Sequence, residues 1–217
     1  MNHQSIVWGA RGKVSIFLAL LGALTLVSGC ATVAPAAAGP RPEQWANPVP
    51  ADPGLPNLHR VSASLYRSAQ PTAAGFVFLG TQPSLANADR PLKTVVSLRA
   101  FDDDAPMVAA PSALRLERIR IKTWHPENED LVKFLRIATT PALQPVLVHC
   151  QHGSDRTGTM VAIYRIAYEG WSKTQATDEM VNGGFGYHPM WQNLRRYIED
   201  LDVDAIKAQV ASQGAWQ

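Results

Sequence analysis

Apolar and polar positions follow different rhythms along this chain. Residues 14–27 form a predominantly apolar stretch, and residues 31 to about 56 show no period. From about Leu58 onward, short apolar runs alternate with stretches at helical spacing. "RVSASLYRSAQP" (60–71) predicts a short strand around Ala63–Arg67, and Pro71 and Gly75 bracket the start of a helix. "KTVVSLRA" (93–100) is β-branched and apolar, as a buried strand would be, and "FDDDAP" (101–106) follows it as a turn-prone loop. "LRLERIRI" (114–121) alternates apolar with basic, which suits a strand with one wet face. "TWHPEN" (123–128) reads as a loop leading into a helix over 129–140, with Leu131, Phe134, Leu135 and Ile137 on one side and Asn128 as N-cap. "QPVLVHC" (144–150) is the clearest strand.

Three helices then follow. "TGTMVAIYRIAYEG" (157–170) is apolar nearly all round and ends at Gly170, so it should be buried. "SKTQATDEMVNGG" (172–184) opens on Ser172 as an N-cap and closes on paired glycines. "HPMWQNLRRYIEDL" (188–201) has Pro189 near its first turn and Trp191, Leu194, Tyr197 and Ile198 on one stripe. Strands alternating with helices predict an α/β domain, with helices on both faces of a small, mostly parallel sheet. The expected division is a signal segment at 1–29, an Ala/Pro-rich tether at 30–57, a folded domain at 58–206 and a tail at 207–217.

Composition is that of a globular protein: 217 residues, 46% hydrophobic and 18% charged. The formal net charge of +2 is carried by Arg11 and Lys13, which share the first 29 residues with no acid. The body is therefore neutral and offers no electrostatic footprint for nucleic acid.

Those two cations, the apolar run and the small residues after it form the three parts of a secretory signal. The run is shorter than the roughly 20 residues that span a membrane. Its end, Val27-Ser28-Gly29-Cys30, resembles the lipobox of bacterial lipoproteins, which implies lipid on Cys30 and attachment to a membrane after export. Cleavage near "APAAAG" (34–39) and an uncleaved anchor are the alternatives, and all three place the body outside the cytoplasm, on the periplasmic side or at the cell surface.

The candidate chemistry lies in "VLVHCQHGSDRTGTMVAIYR" (146–165). Here a strand hands over to a helix, where unpaired N–H groups favour anions. Gly153 permits a tight path, so the N–H groups of Gln151, His152, Gly153, Ser154, Asp155 and Arg156 can turn inward as a nest for phosphoryl oxygens. The same dipoles and Arg156 should hold Cys150 as thiolate, below the free thiol's pKa of about 8.5. The planar fork of Arg156 grips two oxygens at once. Thr157 can donate to the sulfur, and His149 can bond loop carbonyls and fix the cysteine.

His149-Cys150-(five residues)-Arg156-Thr157-Gly158 resembles the signature of the cysteine-dependent protein-tyrosine and dual-specificity phosphatases. "LYRSAQP", "KTVVSLR", "YRIAYEGWSK" and "EMVNGGFG" extend the likeness to the atypical dual-specificity group of bacteria, fungi and plants, and most of all to its exported bacterial tyrosine phosphatases. The resemblance implies a dual-specificity-phosphatase-like fold, a phosphocysteine intermediate on Cys150, and neither metal nor other cofactor. Its substrates would be phosphorylated proteins or small phosphomonoesters.

The resemblance also implies an aspartate, as general acid, on the loop before the helix at 129–140. No aspartate precedes Asn128 there. Glu127 and Asp130 are the preferred candidates, followed by Glu129 and His125, while "FDDDAP" is a second acidic loop. Glu129 and Asp130 are equally explained as first-turn acids that complement the helix dipole. Asp155 opposes anion binding unless it turns away. An aspartate at that place also occurs in myotubularin phosphoinositide phosphatases, which keeps a lipid or inositol-phosphate substrate in view. A catalytically weak phosphate-recognition module is the alternative of another class. The sequence sets no oligomeric state.

Overall fold

The computed structural model describes residues 41–50, 54–81, 85, 91–109 and 112–217. Cys30, and with it the signal and lipidation expectation, lies outside them. The strands are β1 (Asn47–Pro48), β2 (His59–Arg60), β3 (Leu65–Ser68), β4 (Thr94–Arg99), β5 (Arg115–Ile121) and β6 (Val146–His149). The helices are α1 (Ala73–Thr81), α2 (Asn128–Thr139), α3 (Asp155–Tyr168), α4 (Lys173–Asn182), α5 (Gln192–Asp200) and α6 (Val203–Gln213).

The six strands form one sheet in the order β1-β2-β3-β6-β4-β5. β3, β6, β4 and β5 run parallel, and β1 and β2 extend the sheet antiparallel. Side chains alternate between the faces, as the two-residue period of a strand requires. Tyr66, Val95 and Leu147 point to the face covered by α1, where they meet Phe76 and Leu79. Leu65, Val96, Leu98, Val146 and Val148 point to the other face and pack with residues of α2 to α6. Because both faces are covered, the central strands read as apolar runs rather than as alternation.

Four boundaries differ from the sequence reading. The packed region starts well before Leu58: Trp45, Ala46 and Leu55 are buried and β1 pairs with β2, so the tether at 30–57 is too long at its C-terminal end. The expected tail at 207–217 is mostly α6, anchored by Ile206 and Val210. Glu127, not Asn128, occupies the N-cap of α2, and α5 begins three residues after Pro189. Ser172 caps α4 as expected, in a capping box with Gln175.

Two glycines fix close approaches. A Cβ on Gly158 would lie 2.8 Å from Met180 Cγ, so glycine lets α3 and α4 touch. Their contact also buries an ion pair: Arg165 donates from Nε and Nη2 to Glu179 at 2.8 and 2.7 Å. Glu179 accepts a further hydrogen bond from the Ala46 N–H. The N-terminal segment is thus tied to the helical layer. The second glycine, Gly153, lies in the segment between β6 and α3.

Candidate active site

β6 ends at His149 and α3 begins at Asp155, so Cys150 to Arg156 cross the carboxyl edge of the parallel strands. The backbone of this loop is held from behind at four consecutive carbonyls. The Cys150 carbonyl lies 3.2 Å from His149 Nδ1, and the Gln151 carbonyl accepts from the Gln70 N–H at 3.2 Å. The His152 carbonyl accepts from Asn57 Nδ2 at 3.0 Å, and the Gly153 carbonyl from Arg67 Nη2 at 2.8 Å. In a trans peptide the C=O and the following N–H point opposite ways. Turning four carbonyls outward therefore turns the N–H groups of Gln151, His152, Gly153 and Ser154 inward, as a nest. Gly153 is required: its φ is +72°, and a Cβ would lie 2.5 Å from the Ser68 carbonyl oxygen.

Cys150 sits buried at the base of this nest. Behind it, His149 Nε2 bonds Asp104 Oδ2 at 2.7 Å, and Asp104 Oδ1 accepts from Gln70 Nε2 at 2.9 Å. Burial alone would raise the Asp104 pKa. The hydrogen bonds and charge of His149, with the bond from Gln70, outweigh it and hold the carboxyl below the usual range. Gln70 Oε1 in turn accepts from Arg99 Nη1 at 2.8 Å, and Arg99 Nη2 pairs with Asp102 at 2.5 Å. A polar chain thus runs from the residue before the nucleophile to the rim of the site.

Arg67 is the second support. It is wholly buried, and its guanidinium stacks on Phe185 with 3.6 Å from Cζ to the ring centroid. Burial pulls its pKa down to about 10, against the opposing attraction of Glu179 and of Cys150. Thr157 is also buried, and its Oγ1 has no hydrogen-bond partner among the described residues. Such an orphan hydroxyl is costly unless it serves the sulfur or a bound oxyanion.

Arg156 reaches across the sheet edge, with Nη1 donating to the Leu98 and Ile121 carbonyls at 3.3 and 3.5 Å. It lines a cavity of about 260 Å³ together with Gln151, Arg99, Phe101, Asp102, Lys122 and Trp124. Phe101 is 79% and Trp124 59% exposed, so both are rim residues rather than core. Phe185 lies buried under Arg67.

The acid candidates separate. Asp102 is the one carboxylate lining the cavity; Glu127 and Asp130 are not among the lining residues. Glu127 stands at the N-cap position of α2 beside His125, and Asp130 is buried in the first turn of α2. Burial, aided by Glu127 and Glu129 and opposed by Lys133, raises the pKa of Asp130. Asp155 turns away from the nest as its charge requires, but into the protein rather than to solvent. Its Oδ1 accepts from the His188 N–H at 2.9 Å and its Oδ2 bonds His188 Nδ1 at 2.7 Å. Sequence reasoning passed over Asn57, Arg67 and Asp104. The local signals were an arginine inside the apolar strand segment "LYRS" for Arg67 and the acidic loop "FDDDAP", which holds Asp104.

A strand-loop-helix nest with a buried cysteine at its base and an arginine closing it defines a cysteine-dependent phosphatase. The family model described as "DSP-PTPase phosphatase fused to NAD+ Kinase" matches residues 50–192. The dual specificity protein phosphatase TpbA of Pseudomonas aeruginosa (strain UCBPP-PA14) is 35% identical over 198 residues, covering 91% of this chain and 84% of TpbA. A crystal structure of a cysteine-to-serine variant of P. aeruginosa TpbA in complex with pTyr aligns at TM-score 0.63 and 33% identity, over 79% of this chain and 98% of that one. The inositol diphosphatase SIW14 of Saccharomyces cerevisiae is 38% identical over 87 residues, which is 40% of this chain and 29% of that protein. The chain belongs to the DSP-PTPase family, in its atypical dual-specificity branch, and is a phosphoric monoester hydrolase.

Proposed function

We propose that the chain hydrolyses phosphotyrosine monoesters, with Asp102 as the proton-transferring group. The observation that carries this reading is the composition of the cavity above the nest. It joins Arg156 and Gln151 to two exposed aromatic rings and one carboxylate. Phe101 and Trp124 offer faces to an aryl ring, while the nest takes the phosphoryl oxygens. Cys150 Sγ attacks phosphorus, an S–P bond forms, and the ester P–O bond breaks. Arg156 and the loop N–H groups stabilise the equatorial oxygens, and the departing phenolate takes a proton from Asp102. A water molecule then attacks phosphorus and gives its proton to the Asp102 carboxylate. The S–P bond breaks, with Thr157 supporting the thiolate that leaves.

The likeness to SIW14 raises a second substrate class, the inositol phosphates. None of the five residues between Cys150 and Arg156 is Lys or Arg, which disfavours a ligand with many phosphates. Side-by-side kcat/KM values on a phosphotyrosine peptide, a phosphoserine peptide and an inositol pyrophosphate test the choice. The highest value is expected for phosphotyrosine, and a clear preference for the inositol compound would overturn the reading. Asp102→Asn should remove one limb of the pH profile, more for an alkyl than for an aryl leaving group. The same loss in Glu127→Gln or Asp130→Asn instead would reassign the acid. We also infer, from the lipobox-like ending at Cys30, that the enzyme works outside the cytoplasm on a lipid anchor. Labelling of the expressed chain by a fatty-acid probe, abolished by Cys30→Ala, is the expected result.

A further inference from the structure

On the outer wall of the phosphate loop, away from the cavity, three side chains converge that the hydrolysis does not use. We propose that His152, Asp155 and His188 form a binding site for a divalent metal ion of the zinc class. One donor atom from each lies within 4.8 Å of the other two. The two imidazoles are 5.2 Å apart between centroids, with their planes inclined at 60°, so they approach one region from different directions. A tetrahedral zinc ion with bonds of about 2.0–2.1 Å keeps its donors about 3.3 Å apart. Asp155 Oδ2 and His188 Nδ1 stand at 2.7 Å, so entry of the ion requires them to separate by about 0.6 Å, within the reach of side-chain rotation.

The carboxylate is held for this role. Its Oδ1 accepts the His188 backbone N–H at 2.9 Å, and Ser154 Oγ donates to Oδ2 at 3.2 Å. Such outer contacts orient a metal ligand and limit its rotation. Burial is graded across the site: Asp155 is buried, His188 partly so and His152 exposed. An ion can therefore enter from solvent and keep water in its remaining position. Two imidazoles and one carboxylate suit zinc and its first-row neighbours rather than magnesium or calcium, which take oxygen ligands. The ion would join the phosphate loop to the segment between α4 and α5 and would take no part in the phosphocysteine chemistry.

The test uses the full chain carrying Cys150→Ser, so that the nucleophile's sulfur cannot itself bind metal. Equilibrium dialysis with Zn²⁺ at neutral pH should give one ion per chain at micromolar concentration. Co²⁺ in its place should show the intense visible bands of a tetrahedral site without a sulfur-to-metal band. His152→Gln, whose ring makes no hydrogen bond among the described residues, and His188→Gln should each weaken binding at least tenfold. His125→Gln, an exposed histidine outside the cluster, should leave binding unchanged. Absence of binding below millimolar Zn²⁺, or undiminished binding in both cluster variants, would overturn the proposal.

Discussion

The back of the phosphate loop and its front are built on opposite plans. Behind the loop, Arg67 of β3, Asp104 after β4, His149 of β6 and Thr157 of α3 are at most 4% exposed. In front, Phe101, Asp102 and Trp124 stand in solvent on two loops. The back fixes where four peptide groups point and where the Cys150 sulfur sits. The front decides what the phosphate is attached to. Loss of a back residue should therefore damage stability and every substrate alike, and loss of a front residue should change substrates selectively.

The strongest test of the back is Glu179→Ala. Glu179 is buried, pairs with Arg165 and offsets the charge of Arg67. Removing it takes from buried Arg67 the carboxylate that offsets it and leaves Arg165 with Glu169, and urea denaturation should show a loss of about 3–5 kcal/mol. A loss below about 1 kcal/mol would mean that the pair is solvated in practice.

Next in size is Asp104→Asn. It weakens the bond to His149, and kcat/KM should fall about tenfold on aryl and alkyl phosphates equally, a loss near 1.4 kcal/mol. Alkylation of Cys150 by iodoacetamide at neutral pH should slow as well. Because Asp104 has a depressed pKa in the folded protein, its contribution to stability is present above the unfolded value of about 3.9. That contribution disappears as pH falls through the folded value. The stability gap between wild type and Asp104→Asn should therefore be full at neutral pH and close below about pH 4.

Trp124→Ala probes the front. KM for an aryl phosphate should rise several-fold, about 1 kcal/mol of lost ring contact, with little change for an alkyl phosphate. Equal losses on both substrates would move Trp124 from the rim of specificity to the support of the loop.

The smallest effect is expected at Asp130. Its folded pKa is raised, so the ionised form costs stability at neutral pH, and that cost is relieved as the group protonates. Asp130→Asn should leave thermal stability unchanged or slightly higher, with activity intact. A large loss of activity would return Asp130 to the chemistry.

The same division explains what the sequence could reveal. Cys150, Gly153 and Arg156 sit within one strand-loop-helix unit, where spacing alone states the geometry. The central strands and α2 to α4 were legible because their apolar positions follow the period of the element they form. The roles of Asp104 and Arg67 were not, because their partners lie 45 and 86 residues away. α6 did carry a signal, since Ile206 and Val210 are four residues apart. A polar surround hid it. Residues 41–57 looked like tether because they are rich in proline, yet Trp45 and Leu55 find cover that only the tertiary structure supplies.

The central claim is that Cys150, fixed at the base of the loop by the groups behind it, takes the phosphoryl group. Rapid acid quench of the enzyme turning over an aryl phosphate, followed by peptide mass spectrometry, tests it directly. One phosphoryl group is expected on the peptide carrying Cys150, with turnover abolished in Cys150→Ser. Phosphate found on another residue, or turnover that survives Cys150→Ser, would contradict it.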